Sequence, residues 1–315
     1  MVNAVAAIPG GRRARRFMHL DVFAPRVGAG NPLAVVLDAD GLDDVAMQRI
    51  AAWTNVIETT FVLPPTTPEA SYRVRIFTPS RELAFAGHPS VGTAHAVLAA
   101  GRACARGAAD GTRQLVQECG AGLLPVRVEG DVAAPSLFVQ APATQVLGRR
   151  QGDDPALRTL LGPRLSEAGG ALIDSGRRWW VAELVDEAAV RGWTPDFGGI
   201  AALAAPEQAT GLAVFARCAR GGHRGKDGPD ADVGLVVRAL MPVAGGYEDP
   251  ASGAANAALA GYLHATGQAS DLGERYRVSQ GREVGRDARL ELVHEAGRIW
   301  VGGRTQTVVD GTLHW

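Results

Sequence analysis

His88-Pro89-Ser90-Val91-Gly92-Thr93-Ala94-His95-Ala96-Val97-Leu98 aligns without gaps on Asp249-Pro250-Ala251-Ser252-Gly253-Ala254-Ala255-Asn256-Ala257-Ala258-Leu259. Both stretches run from a polar residue through proline, two small residues and glycine into small residues that end in leucine. Upstream of each lies an alternating, strand-like run that stops at a proline, Tyr72 to Thr78 before Pro79 and Val236 to Met241 before Pro242. Downstream, Gln114–Gln117 and Tyr276–Gln280 open later strands. A repeat on this scale organises a whole chain, and 315 residues exceed what one hydrophobic core usually holds. Two lobes built on one plan are therefore expected.

Each repeat reads as a strand, a turn and a helix. Asp249 has the character of an N-cap and Pro250 of a first helical residue, because proline lacks only a donor that would go unpaired there. The small residues after Pro89 and Pro250 leave the backbone N–H groups of the helix entrance open, a setting that suits a carboxylate. Two related lobes would bring two such entrances toward one cleft, where small ligands usually bind.

The remaining sequence is mostly β. Phe17 to Phe23 and Leu33 to Leu37 read as a strand pair around a Gly30-Asn31-Pro32 turn. Asp43 to Trp53 reads as a helix with Val45, Met47, Ile50 and Ala51 on its apolar face. Gly120–Val128 and Leu137–Gln140 read as strands, Thr144 to Ser166 as a linker with a short helix, and the second lobe restarts at Ala171. The expected fold class is α+β, with two pseudo-symmetric lobes, each a curled, mostly antiparallel sheet around a central helix. The expected divisions are an extended or disordered arm at 1–16, an N-terminal lobe at 17–145 and a C-terminal lobe at 146–315, whose last strand is a candidate to return to the first lobe.

Composition narrows the function. Net charge is −1 and no basic stripe points to nucleic acid. No apolar window is long enough for a bilayer, and the arginines at 12, 13, 15 and 16 follow a short apolar stretch, the wrong order for a secretory signal. Lys226 is the only lysine and sits in a glycine-rich loop, Gly221 to Pro229, so a Schiff-base cofactor is not expected. Cys104, Cys119 and Cys218 are widely spaced and odd in number, which fits neither a disulfide framework nor a zinc knuckle and suits a reducing cytoplasm. Only His88 and His95 could share a helix face, and seven residues apart they do not make a metal pair without further donors.

Six motifs in order now carry a resemblance: Asp21-Val22-Phe23, Gly30-Asn31-Pro32-Leu33-Ala34-Val35-Val36, Glu58-Thr59-Thr60-Phe61-Val62, Arg75-Ile76-Phe77-Thr78-Pro79, Glu82-Leu83-Ala84-Phe85-Ala86-Gly87-His88-Pro89 and Glu248-Asp249-Pro250-Ala251-Ser252-Gly253. Together they resemble the PhzF phenazine-biosynthesis family from about residue 17 to the C-terminus, where Gln280-Gly281, Gly285-Arg286 and Val301-Gly302-Gly303 also fit. The resemblance implies a fold like that of diaminopimelate epimerase, an active site between the lobes, no metal or organic cofactor, and a homodimer. Epimerases of that fold use two thiols. Here His88 and Asp249 stand at the helix entrances, so two-thiol racemisation is disfavoured.

In the phenazine enzymes the glutamate of the Glu-Thr-Thr-Phe motif shuttles a proton during isomerisation of a dihydro-hydroxyanthranilate, and that role carries over to Glu58. Val56, Ile57, Phe61 and Val62 around it would desolvate a carboxyl group and tune it for proton transfer. His88 and Asp249 carry over as further site residues that orient substrate or relay protons. Asn31, Gly87, Gly92, Ser252, Gly253 and Ala254 are the expected substrate-binding positions, the glycines admitting close backbone approach. Ile57 and Ala254 stand where the phenazine enzymes commonly carry serines, so the polar substrate itself does not transfer. The leading reading is a cofactor-independent isomerase acting on a small carboxylate-bearing amino or hydroxy acid of secondary metabolism. The alternatives are an epimerase or dehydratase on the same site, or a metabolite-binding protein without turnover.

Overall fold

The computed structural model describes residues 13–107, 112–131, 134–218 and 233–315. They form two compact units, one made of the residues up to Val22, Asn31–Val139 and Arg304–Trp315, the other of Phe23–Gly30 and Gln140–Gly303.

The first unit holds β1 (Ala14–Val22), β2 (Asn31–Val36), α1 (Asp44–Thr54), β3 (Glu58–Leu63), β4 (Tyr72–Phe77), β5 (Glu82–Leu83), α2 (Gly87–Ala99), β6 (Arg106–Gly107), β7 (Arg113–Cys119), β8 (Gly122–Glu129) and β9 (Ser136–Gln140). The second holds β10 (Gln145–Arg150), α3 (Pro155–Leu161), β11 (Leu165–Asp174), β12 (Arg178–Leu184), α4 (Glu187–Arg191), α5 (Phe197–Ala204), β13 (Gly211–Arg217), β14 (Val233–Met241), β15 (Tyr247–Asp249), α6 (Gly253–Ala265), β16 (Arg275–Gln280) and β17 (Ala288–Glu295). A long last strand, β18 (Arg298–His314), starts in the second unit and ends in the first.

Both units obey one wiring diagram. In the first, β18, β1, β2, β3, β4, β7, β8 and β9 are successive neighbours, and β9 meets β18 to close an eight-stranded barrel. In the second, the row is β10, β11, β12, β13, β14, β16, β17 and β18. Pairing is antiparallel except at two corresponding places in each row, β2/β3 and β4/β7, then β12/β13 and β14/β16. A parallel pair cannot be joined by a hairpin and needs a crossover. The helices sit at those crossovers: α1 and α2 in the first unit, α4 with α5 and then α6 in the second.

The two crossovers within each unit differ in burial, as their sequences dictate. On α1 only Met47, Ile50 and Ala51 are buried, one stripe at helical spacing, and the helix lies outside the barrel. Its ends are fixed by Asp43, which accepts from the Ala46 N–H at 2.7 Å, and by Asn55 in the left-handed region at φ 54°. By contrast α2 and α6 are apolar or small all round, and His88–Ala94 and Ala255–Leu263 are buried without a break. Such a helix belongs inside a sheet, and α2 touches β1, β2, β3, β4, β7 and β8. Each central helix meets its wall through a glycine: a Cβ on Gly92 would collide with Leu33 and stand 2.7 Å from Val22 Cγ2, and one on Gly261 would stand 2.8 Å from Thr144 Cβ. The fold is α+β with two pseudo-symmetric lobes.

Val45 is exposed on α1, Asn31 and Pro32 pair with β1 as part of β2 instead of turning, and four further expectations change. The helix of the second repeat does not begin at Pro250: α6 starts at Gly253 with Ser252 as its N-cap, and Asp249 ends β15. The polar residue and the proline instead form a turn in which Asp249 Oδ1 accepts from the Ala251 N–H at 3.1 Å. Gly92 faces Leu33 and Val22, so its small size serves helix–strand packing. The first strand begins at Ala14, three residues before the expected start, because Arg16, Arg15, Ala14 and Arg13 continue the ladder along Thr312, Leu313, His314 and Trp315. The stretch from Thr144 contains strand β10 as well as the helix. Its QVLGRR sequence is largely exposed and lacks apolar alternation. Residues 1–12 of the expected arm and the loop around Lys226 lie outside the described residues.

Candidate active site

In the first unit Glu58 opens β3, directly after the left-handed Asn55 turn that ends α1, and pairs across to Leu33 of β2. The two threonines that follow it are buried and explain the motif. Thr59 shares a 2.7 Å hydroxyl contact with Thr54 of α1, and Thr60 accepts from Thr93 of the central helix at 2.8 Å. The strand that carries Glu58 is thus pinned to the helix that carries His88. His88 is the second residue of α2, where Pro89 behind it forfeits no intrahelical bond.

These placements bring His88 Nδ1 to 3.3 Å from Glu58 Oε2, with side chains 7% and 12% exposed. Burial holds the His88 imidazole down at about 4, opposed by a backbone hydrogen bond to Pro32. At neutral pH the ring is therefore uncharged, and its contact with Glu58 is a close approach of a neutral imidazole to a carboxyl group. A neutral ring carries a single N–H. The Pro32 carbonyl accepts from the ring, and the Glu58 carboxyl stands beside that bond at 3.3 Å. Asn31 is wholly buried at the head of β2, next to Pro32, and Gly87 is the first residue of α2. Four of the expected residues, Glu58, His88, Asn31 and Gly87, thus collect around the entrance of α2.

In the second unit Asp249, Ser252, Gly253 and Ala254 collect around the entrance of α6. Ser252 caps the helix by accepting from the Ala255 N–H at 3.4 Å, Gly253 and Ala254 are its first two residues, and Asp249 lies half-buried on the turn before it. Behind the turn a bidentate ion pair joins neighbouring strands: Arg238 donates from Nε and Nη2 to Glu248 at 3.0 and 2.7 Å, with side chains 4% and 7% exposed. The first unit repeats it as Arg75 with Glu82, both bonds 2.7 Å, in a more open setting.

Residues 20–311 match the family described as phenazine biosynthesis-like protein. The chain belongs to that family. It is 32% identical to a trans-2,3-dihydro-3-hydroxyanthranilate isomerase of Pseudomonas chlororaphis over 94% of this chain and 98% of that one. Among solved structures, a phenazine biosynthesis protein of the PhzF family from Bacillus anthracis superposes with a TM-score of 0.78 at 22% identity, covering 96% of this chain and all of that one. A hydroxyproline epimerase from Agrobacterium vitis shares the fold at a TM-score of 0.55 and 15% identity, over 96% of this chain and 93% of that one. The chain is an isomerase of the phenazine biosynthesis-like family with the diaminopimelate epimerase-like fold.

Two buried glutamines, Gln117 of β7 and Gln280 of β16, stand at the helix entrances without having been among the expected site residues. Both are fully buried and both bond to a helix entrance, Gln117 to Ser90 and Gln280 to Asp249, Ser252 and Asn256. A signal existed: each glutamine lies on the strand that follows its repeat. Among the described residues no group of three or more His, Cys, Asp or Glu could hold a metal ion, and no helix is long and apolar enough to cross a membrane. His95, on α2 with His88, bonds Thr307 Oγ1 at 3.0 Å instead.

Proposed function

We propose that this isomerase moves a proton within a small carboxylate-bearing amino or hydroxy acid of secondary metabolism, with Glu58 as the shuttling group. Glu58 takes a proton from one substrate carbon as the electron pair shifts into the conjugated system. Once the carboxyl has exchanged with solvent it delivers a proton to another carbon, so the double bond migrates with one proton removed and one added and no net change of atoms. The carboxyl group itself carries the proton, so the step calls on no cofactor. The observation that supports this reading is the 3.3 Å approach of His88 Nδ1 to the largely buried Glu58 carboxyl. His88, neutral at working pH, would steady each protonation state of Glu58 by exchanging the role of its ring N–H. Asp249, on the second unit, is proposed to orient a substrate amino or hydroxyl group, the role that the resemblance implies for it.

Ile57 precedes Glu58 and Ala254 follows Gly253, and neither offers a hydroxyl. The proposed substrate is therefore less dependent on such donors than the dihydro-hydroxyanthranilate of the named relative. The test is proton NMR in deuterated water with amino acids, hydroxy acids and trans-2,3-dihydro-3-hydroxyanthranilate. Native protein should place deuterium at a substrate carbon, and Glu58→Gln, folded to the same extent, should not. Deuterium uptake that survives Glu58→Gln would overturn the assignment.

A further inference from the structure

A buried glutamine holds the helix entrance in each unit, and the two clamps differ in what they can tolerate. In the first unit Tyr72 donates to Gln117 Oε1 at 3.2 Å, Gln117 Nε2 donates to Ser90 Oγ at 3.0 Å, and the Ser90 hydroxyl donates to the Ala86 carbonyl at 2.9 Å. In the second, Gln280 Oε1 accepts from the Ser252 N–H at 3.3 Å and from Asn256 Nδ2 at 2.8 Å, while Gln280 Nε2 donates to the Asp249 carbonyl at 2.7 Å. Gly281 follows at φ 93°, and a Cβ on it would stand 2.5 Å from the Pro250 carbonyl, so the strand end lies against the same turn.

The partners decide how rigid each clamp is. A serine hydroxyl both donates and accepts and can rotate, so the Gln117 chain can reverse one bond. A backbone N–H only donates and a backbone carbonyl only accepts. The amide of Gln280 therefore has one permitted orientation, with oxygen toward Ser252 and nitrogen toward Asp249. We propose that Gln280 is a positioning residue that fixes the Asp249–Ser252 turn from behind, and with it the Asp249 side chain and the first N–H groups of α6. The proposal rests on the proton-transfer reading, in which Asp249 orients substrate.

The test substitutes Gln280→Glu, which keeps the shape and the acceptor for Ser252 and Asn256 but sets a carboxylate oxygen against the Asp249 carbonyl. Protonation of the new, buried carboxyl restores a donor. In the deuterium-uptake assay at pH 8, kcat should fall on the order of 100-fold with KM little changed, and should recover relative to wild type as the pH is lowered. Gln117→Glu should lose no more than about 5-fold, because Ser90 can turn its hydroxyl toward the carboxylate, and should show no acid recovery. Gln280→Met, read by hydrogen exchange, should speed exchange of the Ser252 amide by about 10-fold or more.

A Gln280→Glu protein with the wild-type rate and pH profile would overturn the proposal. So would a rate loss that follows thermal stability without acid recovery, or unchanged Ser252 exchange in Gln280→Met. Wild type and Glu58→Gln in the same assay report on the proton-transfer reading separately. If wild type shows no uptake, that reading falls, and Ser252 exchange still decides whether the clamp holds the turn.

Discussion

His88 Nδ1 lies 3.3 Å from Glu58 Oε2 although the two residues stand on different elements, the second position of α2 and the first of β3. The bond from Thr93 to Thr60 ties those elements together two residues beyond Glu58 and five beyond His88, so the approach is enforced by the wall of the barrel. Burial that brings the two groups together also makes the His88 imidazole costly to protonate.

That cost sets a pH dependence of stability. The His88 imidazole sits at about 4 in the folded protein and near 6.5 in the unfolded chain. Between those values the unfolded chain binds a proton that the native state refuses, so stability falls as the pH drops from about 6.5 toward 4. His88 alone contributes roughly 3 kcal/mol across that window. His19, His95 and His294, also lowered by burial, add to the slope in the same direction. Asp40, Asp310 and Glu118, held low by hydrogen bonds to Arg13, Arg16 and Thr66, lose their contribution only below the usual carboxylate range. Urea unfolding at pH 7, 6 and 5 should show a shallower slope for His88→Gln than for wild type. Parallel slopes would place the His88 imidazole near its ordinary value.

The Arg–Glu forks offer a comparison within one molecule. Arg238 satisfies its remaining donor at the Val190 and Trp193 carbonyls, so removing charge from Glu248 strands a buried guanidinium. Glu248→Gln should cost about 2 to 4 kcal/mol. Glu82→Gln should cost under about 1 kcal/mol, since Glu82 is 42% exposed and Arg75 keeps Asp44. Denaturant midpoints of the two variants decide this, and equal losses would contradict it.

Gly92 tests the assignment of that residue to packing. Gly92→Ala gains about 1 kcal/mol of helix propensity but forces a methyl group onto Leu33 and Val22, an overpacking cost of about 1 to 3 kcal/mol. Net destabilisation of about 1 kcal/mol is expected. Adding Leu33→Ala should make the double variant more stable than the sum of the single effects by at least about 1 kcal/mol. Strict additivity would show that α2 does not lie against Leu33 as described.

Local chemistry written in the chain determined the duplication, the strand–helix–strand order of each repeat and the α+β class, while the resemblance carried by six motifs supplied Glu58, His88 and Asp249 as site residues. Periodicity, prolines and small-residue runs act over a few residues, and a sequence displays them directly. The same reading put the start of α6 at Pro250, because the two repeats match in residue type while their helices begin at different aligned positions, Gly87 and Gly253. The packing of Gly92 is not legible either, since a glycine that admits a neighbour looks the same whether the neighbour is a substrate or Leu33. Only the tertiary structure decided that Glu58 meets His88, that Gln280 reaches the Asp249 turn 31 residues away in the chain, and that Arg238 closes on Glu248. Those contacts depend on strand register and on which face of a buried element looks inward, quantities fixed by the packing of the whole lobe and by no local run of residues.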